Sequence, residues 1–290
     1  MLILGIDSSG HTASVALYED GVVLSEYSCN IGLTHSQTLL PMVAEIFSRT
    51  ERSVEQLDAI AVSAGPGSFT GLRIGAATAK GLALGYDIPL LEVSTLEGLA
   101  MNVRDTVSTF TEPARAMTIE PADRIYVHPI MDARRSQVYT ATFLDGVRQG
   151  EEEAIGIDAL IARINALPGR HFFLGDAVPV YRHLLEEQLQ VPFRFAAAGH
   201  LLQRASSIAM LGAEQLAAGK SVHGRDFHLS YIRKPQAERE REASGLREYD
   251  ITHEDPGLLK KKEAEDRLAA RNYKIDAGPG YEDASVPENL

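Results

Sequence analysis

The chain opens with an aspartate beside small polar residues, in the run Asp7-Ser8-Ser9-Gly10. This run follows a short apolar segment, residues 2–6, so it is expected where a first strand meets a turn. A turn of this type can bind phosphate through backbone N–H groups and hydroxyls while the aspartate holds a cation. An ordinary Ser/Gly hairpin turn has the same composition, and these residues alone leave both interpretations open.

A glycine-rich run, SAGPGSFTGLRIG, occupies residues 63–75. Its glycines permit positive-φ backbone between a strand and a helix, at Gly65, Gly67 and Gly71. Ser68 or Thr70 is a suitable N-cap for that helix. The run lacks the Lys-Ser/Thr pair of a P-loop, so it does not predict that type of phosphate site.

Small residues continue at i, i+4 intervals down the following helix. A stripe of this kind usually packs inside a protein, but it also suits a tight helix bundle with a second protein. The sequence does not decide between the two. The stripe comprises Gly71, Gly75, Ala79 and Ala83.

The sequence gives little support for a catalytic nucleophile or for a metal site. The single cysteine, Cys29, excludes a disulfide framework and a multi-thiolate zinc site. The nine histidines show no i, i+4 pair of the kind that binds zinc. Ser68 as a nucleophile would need a base that the sequence does not supply. The adjacent Arg134 and Arg135 either contact an anion or face solvent.

Hydrophobic periodicity predicts the order β-β-β-α-β-α-β-α for the first hundred residues, typical of a mixed sheet covered by helices. Asp20-Gly21 is a hairpin signal between the second and third strands. Thr34 and Gln37 have capping-box spacing at the start of the first helix. The predicted strands are 2–6, 12–18, 22–27, 59–63 and 89–93, and the predicted helices are 34–48, 71–84 and 94 to about 103.

An internal repeat relates residues 7–22 to residues 132–147. At one offset, Asp7, Ala16, Asp20, Gly21 and Val22 match identical residues, and both segments end in a predicted Asp-Gly hairpin. Two unrelated hairpins with common turn chemistry are the alternative. If the repeat is real, two related α/β domains face each other across a cleft. A helix at 207–219, followed by residues 228–233, is expected to close the second domain.

Length and charge restrict the function further. With 290 residues the chain is expected to form about two domains. Its net charge of −12 makes it a poor stand-alone nucleic-acid binder. No apolar run is long enough to span a membrane and no signal peptide is evident, so a cytoplasmic protein is expected. Residues 104–123 are a predicted interdomain connection. The highly charged segment 236–290 is predicted to be a mobile tail, or else a helix that folds on a partner.

Several runs in this order resemble the bacterial TsaB (YeaZ) family: GIDSSGHTASVAL, THSQTLLP, SAGPGSFTGLRIGAATAKGLA, VSTLEGLA and MDARRSQVY. The resemblance extends to about residue 235. It implies a two-lobed actin/Hsp70-like (ASKHA) fold and a non-catalytic subunit. Such a subunit binds TsaD and, with the ATPase TsaE, supports formation of N6-threonylcarbamoyladenosine beside the anticodon of tRNA. It also implies a homodimer when TsaD is absent, and only indirect contact with tRNA.

The resemblance also bears on the sites. TsaD carries a His-Met-Glu-Gly-His run whose histidines hold a metal, and this chain has Thr95 and Leu99 at those two positions. A metal site and a tightly bound cofactor are therefore not expected, and a nucleotide is expected only at a complex interface. The implied partner interface comprises His35, Leu39, Leu40, Val43, Phe47, Leu72, Gly75, Ala79 and Ala83. A vestigial phosphate loop or cleft comprises Asp7, Ser8, Ser9, Asp132, Arg134 and Arg135.

The expected lobes are residues 1–105 and residues 106–235. The last helix of the second lobe is expected to pack either on its own lobe or back on the first lobe. Two other functions stay open. A stand-alone ATPase or kinase of the same superfold is favoured by the Asp7 turn and disfavoured by the glycine-free second turn, Asp132 to Ser136. A glycoprotease-like peptidase lacks both a nucleophile–base set and a metal site.

Overall fold

The computed structural model describes residues 1–32, 34–104, 120–121 and 124–233. Contacts between residues group Met1–Lys234 into one unit. The predicted tail, 236–290, lies outside the described residues. So does most of the predicted connection, 104–123.

The described part of the first half contains five strands and three α-helices. The predicted β-β-β-α-β-α-β-α order is confirmed, with most boundaries shifted by one or two residues. The elements are β1 (Leu2–Asp7), β2 (Ala13–Glu19), β3 (Val22–Cys29), α1 (His35–Thr50), β4 (Ala59–Gly65), α2 (Phe69–Tyr86), β5 (Leu90–Ser94) and α3 (Thr95–Met101).

The second half repeats this arrangement. Its described elements are β6 (Ile125–Asp132), β7 (Gln137–Leu144), β8 (Val147–Gly156), α4 (Ile157–Asn165), β9 (Arg170–Leu174), α5 (Ala177–Gln188), β10 (Phe193–Phe195), α6 (Ala198–Leu201) and α7 (Ala205–Ala217).

The two sheets have the same strand order, which confirms the internal repeat. The first sheet runs β3-β2-β1-β4-β5, and the second runs β8-β7-β6-β9-β10. Both hairpins turn through left-handed Asp-Gly pairs, Asp20-Gly21 and Asp145-Gly146. Left-handed residues at both positions match the twist of the flanking strands. The aligned residues Asp7 and Asp132 each end the first strand of their sheet.

Helix starts follow the expected residues with one difference. Ser68 caps α2, since its hydroxyl accepts a hydrogen bond from the N–H of Gly71 at 3.3 Å. Thr34 precedes α1, but its side chain makes no cap hydrogen bond. The predicted capping box is therefore wrong: Gln37 N–H bonds instead to the backbone carbonyl of Thr34, at 2.9 Å.

Each half covers the other half's sheet with its last helix. Helix α3 packs on β6 and β7, where Leu96 and Leu99 lie in one core with Val127 and Phe143. Helix α7 packs on β1, β2, β4 and β5, with Ile208 in a core of first-sheet residues. Gly98 allows the close contact between the two helices, because a Cβ there would lie 2.5 Å from a methyl of Ile208.

The expectation that the last helix closes the second domain is therefore wrong, and its alternative placement on the first lobe is what the structure shows. The segment after α7 also returns to the first half. Val222 bridges to Leu90, Phe227 lies in the first core, and Ser230 N–H bonds to the carbonyl of Ala64 at 2.7 Å. Apolar periodicity predicts that a helix is amphipathic but not which sheet it covers.

Candidate functional site

The first turn is buried and occupied by its own hydrogen bonds. The Asp7 side chain is 1 % exposed. One of its carboxylate oxygens accepts hydrogen bonds from the N–H and the hydroxyl of Ser9, at 2.9 and 2.6 Å. Desolvation by burial raises the pKa of Asp7 above its usual value in spite of these bonds. The carboxyl group thus serves the fold of its own turn.

Glycines of the 63–75 run make room for this turn. A Cβ on Gly67 would lie 2.4 Å from the carbonyl oxygen of Ser9, and one on Gly71 would lie 2.2 Å from that of Ser8. A Cβ on Gly75 would lie 2.3 Å from the Ser8 hydroxyl oxygen. Positive φ was expected at three glycines, but among them only Gly65 has it, at 122°. The others are needed for close backbone approach.

The second turn is built differently. Arg134, Arg135 and Ser136 have φ values of 64°, 56° and 55°, so three consecutive residues without a glycine adopt left-handed backbone. The N–H of Arg134 bonds to a carboxylate oxygen of Asp132 at 2.9 Å. Both arginines are exposed. Left-handed backbone costs about 1–2 kcal/mol for each such residue.

Protein side chains fill the space between the two turns. Asp176 accepts hydrogen bonds from the N–H of Asp132, at 3.1 Å, and from the Gln203 side-chain amide, at 3.3 Å. On the other side, a Cβ on Gly10 would lie 2.4 Å from the Gln203 amide nitrogen and 2.8 Å from an Asp176 carboxylate oxygen. Burial raises the pKa of Asp176. A phosphate could not approach the Gly10 backbone from this side without displacing both side chains.

Sequence reasoning missed Gln203 and gave Asp176 no role. One signal was present for Asp176. Gly175, immediately before it, follows β9 as Gly65 ends β4, and both glycines have positive φ. Gln203 lies in a connection without periodicity, so no pattern pointed to it.

The positions that correspond to the TsaD metal ligands lie inside the core. Thr95 and Leu99 are buried on α3, and Leu99 packs in the core of the second sheet. Across the described part of the chain, no group of three or more His, Cys, Asp or Glu residues could hold a metal ion. In the same part, no helix is both long and apolar enough to cross a membrane.

Most residues expected at a partner interface are buried in this chain's own core. The cause is that α1 and α2 use their larger side chains and their small-residue stripe to cover the first sheet. His35 is half-buried, with its Nε2 2.9 Å from the carbonyl oxygen of Gly10. The assignment is therefore corrected for Leu39, Val43, Phe47, Leu72, Gly75, Ala79 and Ala83, whereas Leu40 is 57 % exposed.

The exposed sides of α1 and α2 form a different surface, which we call the outer face. We include in it only small or apolar residues, although Glu45, Arg49 and Arg73 are exposed on the same two helices. A Cβ on Gly81 or Gly85 would meet nothing within 4 Å. The two helices contact each other. The outer face comprises Leu40, Ala44, Thr70, Ala77, Gly81 and Gly85.

Two five-stranded sheets of equal topology, with the turns after their first strands meeting between them, define the actin-like two-lobed α/β fold. Comparison with known proteins agrees. The model of the family "TsaD: tRNA N6-adenosine threonylcarbamoyltransferase" matches residues 31–239. The crystal structure of YeaZ from Pseudomonas aeruginosa is 26 % identical, with a TM-score of 0.62, over 79 % of this chain and 100 % of that one.

Curated relatives give the particular family. The tRNA threonylcarbamoyladenosine biosynthesis protein TsaB of Bacillus subtilis is 32 % identical over 82 % of this chain and 96 % of the relative. The protein of the same name from Escherichia coli is 32 % identical over 80 % of this chain and 95 % of the relative. The chain belongs to the TsaB (YeaZ) family.

Proposed function

We propose that this chain is a non-catalytic cytoplasmic subunit that binds TsaD. Together with TsaE it would support the formation of N6-threonylcarbamoyladenosine in tRNA. The names of its relatives supply the pathway. The outer face supplies the structural argument, because its small and apolar residues are exposed and are not used by the chain's own core.

The non-catalytic part of the proposal rests on side chains that are already engaged. Asp7 is held by Ser9, and Asp176 and Gln203 occupy the space beside Gly10. Thr95 and Leu99 belong to a buried helix face. We therefore place any nucleotide at a junction with another subunit, and the structure favours this over a stand-alone ATPase or kinase.

The outer face suits a helix bundle with a second protein. Ala77, Gly81 and Gly85 follow one another at i, i+4 spacing on exposed positions of α2. Without bulky side chains there, a partner helix can approach α2 closely. Leu40, on the neighbouring helix α1, adds exposed apolar area. In the absence of TsaD, the same face would pair two copies of this chain.

The test is association measured by size-exclusion chromatography with light scattering, for this chain alone and mixed with TsaD. The informative variant is Gly81→Leu. Since its Cβ meets nothing in this chain, folding should be unharmed, and leucine favours a helix over glycine by about 1 kcal/mol. We expect an unchanged or higher melting temperature together with weaker association, because the bulk blocks the approach of a partner helix.

The matched control is Gly199→Leu, on α6, where a Cβ also meets nothing within 4 Å. It should leave association with TsaD intact. Association that survives Gly81→Leu would place the partner elsewhere. A wild-type chain that does not associate with TsaD at all would contradict the proposed function.

A further inference from the structure

Cationic side chains gather along one path on this acidic chain. Arg73 and Lys80 lie on α2, Arg233 ends the described chain, and Arg134 and Arg135 lie in the turn between β6 and β7. We call these five residues the cationic strip. The net charge of the whole chain is −12, so a local surplus of positive charge is unexpected.

The backbone connects these side chains into one path. Residues 227–231 lie along α2, where the Lys80 ammonium is 5.6 Å from the centre of the Phe227 ring. Arg73 Nε donates to the Tyr231 hydroxyl at 3.3 Å. Two residues further on, an Arg233 guanidinium nitrogen donates to the carbonyl of Ala133 at 2.8 Å. The path therefore leads from α2 to the second turn without a break.

A groove accompanies the first part of this path. It has a volume of about 440 Å³ and lies between α2 and the returning segment. Arg73 and Lys80 line it together with the rings of Phe227, His228 and Tyr231 and with aliphatic side chains. Tyr231 is 38 % exposed, and the centre of its ring lies 5.4 Å from that of Phe69.

The charges of the strip are mostly uncompensated. Elsewhere, arginines such as Arg49, Arg52 and Arg204 form ion pairs with glutamates. On the strip, Arg134 contacts Asp132 at 3.4 Å, but the other four form no ion pair with any described residue.

The neighbouring carboxylates are engaged with backbone N–H groups. Asp132 accepts from Arg134 N–H at 2.9 Å, and Glu92 accepts from His228 N–H at 2.5 Å. These hydrogen bonds do not remove the negative charges of Asp132 and Glu92, but the five cations of the strip outnumber the two carboxylates and leave a site for an external anion.

The second turn adds a structural argument. Its three left-handed residues hold Arg134 and Arg135 outward at the end of the path. Strained backbone of this kind is often kept where it presents functional groups. The same turn has no glycine, so its left-handed backbone is not explained by the wider range of φ angles that glycine can adopt.

We propose that the cationic strip binds the phosphodiester backbone of an RNA. Spaced cations with an exposed aromatic ring match a polyanion that also carries bases able to stack. The choice of RNA among polyanions rests on the proposed function, which places this chain at a tRNA. This differs from the expectation that the chain meets tRNA only through its partners.

The experiment measures binding of a fluorescently labelled tRNA transcript to the full chain by anisotropy, as a function of salt concentration. The logarithm of affinity should fall linearly with the logarithm of salt, by about 0.7–0.9 for each phosphate neutralised. Lys80→Gln and Arg135→Gln should each weaken binding about tenfold at about 50 mM salt and reduce the slope by about one contact.

Arg194→Gln is the matched control. Arg194 is exposed on β10, away from the strip's contacts, and its replacement changes the net charge equally. It should leave the slope unchanged, and thermal melting should show that all three variants fold. No binding by the wild type, or equal losses in the control, would overturn the inference.

Association with TsaD, measured on the same variants, separates the two proposals. Lys80 adjoins Gly81 of the outer face, so Arg135→Gln, which lies outside that face, is the decisive variant. Loss of RNA binding by Arg135→Gln with TsaD association retained supports the strip as an RNA site. Unchanged RNA binding with weakened TsaD association would assign the strip to an acidic protein surface instead. That outcome would overturn the inference and leave the proposed function standing.

Discussion

The two turns that follow β1 and β6 occupy equivalent places in a duplicated fold but are stabilised in different ways. The first turn is held by residues that are distant in sequence, because Gly67, Gly71 and Gly75 let α2 and the loop before it lie against Ser8 and Ser9. The second is supported locally by left-handed residues, Arg134 to Ser136. The comparison shows that strand order has persisted through the duplication while the support of each turn has diverged.

The first turn should be the more sensitive to a change far away in sequence. Gly75→Leu places side-chain atoms where the Ser8 hydroxyl lies, 2.3 Å from the new Cβ. Overpacking of this kind should lower the free energy of unfolding by about 3 kcal/mol. Urea denaturation measures the effect.

Gly81→Leu, on the exposed side of the same helix, serves as the control and should show no loss. Equal stability of the two variants would mean that α2 does not lie against the first turn as described.

The halves also differ inside their sheets, where a buried histidine pair occupies the second. His128 is fully buried, and its Nε2 lies 2.9 Å from Nδ1 of His171. Because Nε2 of His171 faces the carbonyl of Leu167, it must donate, so His128 Nε2–H donates to His171. The Thr142 hydroxyl then donates to Nδ1 of His128, at 3.2 Å. At the position equivalent to His128 the first half has Ile3.

This pair should make stability fall in acid. Desolvation and the neighbouring His171 lower the pKa of His128 to about 3. The unfolded chain therefore binds a proton that the folded chain excludes. The contribution of His128 to the free energy of unfolding is fully present above about pH 6.5. It is lost as the pH falls towards 3, at about 1.4 kcal/mol per pH unit. At pH 5 the loss should be about 2 kcal/mol.

The measurement is the free energy of unfolding between pH 7 and pH 4. His128→Leu should flatten the dependence by close to one proton, whatever its effect on absolute stability. His183→Leu, which replaces an exposed histidine, should retain the wild-type slope. An unchanged slope in His128→Leu would show that this histidine does not resist protonation in the fold.

The smallest effect is expected at the second turn. Ser136→Gly relieves left-handed strain but adds flexibility to the unfolded chain, so the two contributions partly cancel. We expect the free energy of unfolding to rise by up to about 1 kcal/mol. Urea denaturation would show a higher midpoint, with an unchanged dependence of the unfolding free energy on urea concentration. A clear loss of stability would mean that the serine side chain stabilises the turn.

Local patterns predicted the elements well. The Asp-Gly turns, the repeat and the N-cap at Ser68 follow from neighbouring residues, and all are present. What could not be predicted depends on distant contacts. The small stripe from Gly71 to Ala83 is equally compatible with an internal or an external surface, and the structure shows that Ser8 and the first sheet occupy it.

The sites were harder to predict for the same reason. Leu40 and Leu39 are adjacent and chemically identical, yet one is exposed and the other buried, because α1 turns only one side to the sheet. The segment that contains Tyr231 contacts α2 although more than a hundred residues separate them in sequence. The contact between these residues could not be predicted from the sequence alone.

The exchange of α3 and α7 makes the two halves mutually dependent. A fragment that ends after α3 would expose the first-sheet face that Ile208 and Ala209 cover. A fragment that begins at β6 would expose Val127 and Phe143, which Leu99 covers. Expressed separately, the halves should be poorly folded, and when mixed they should assemble into one particle. The two halves are therefore separate along the chain but depend on each other to fold.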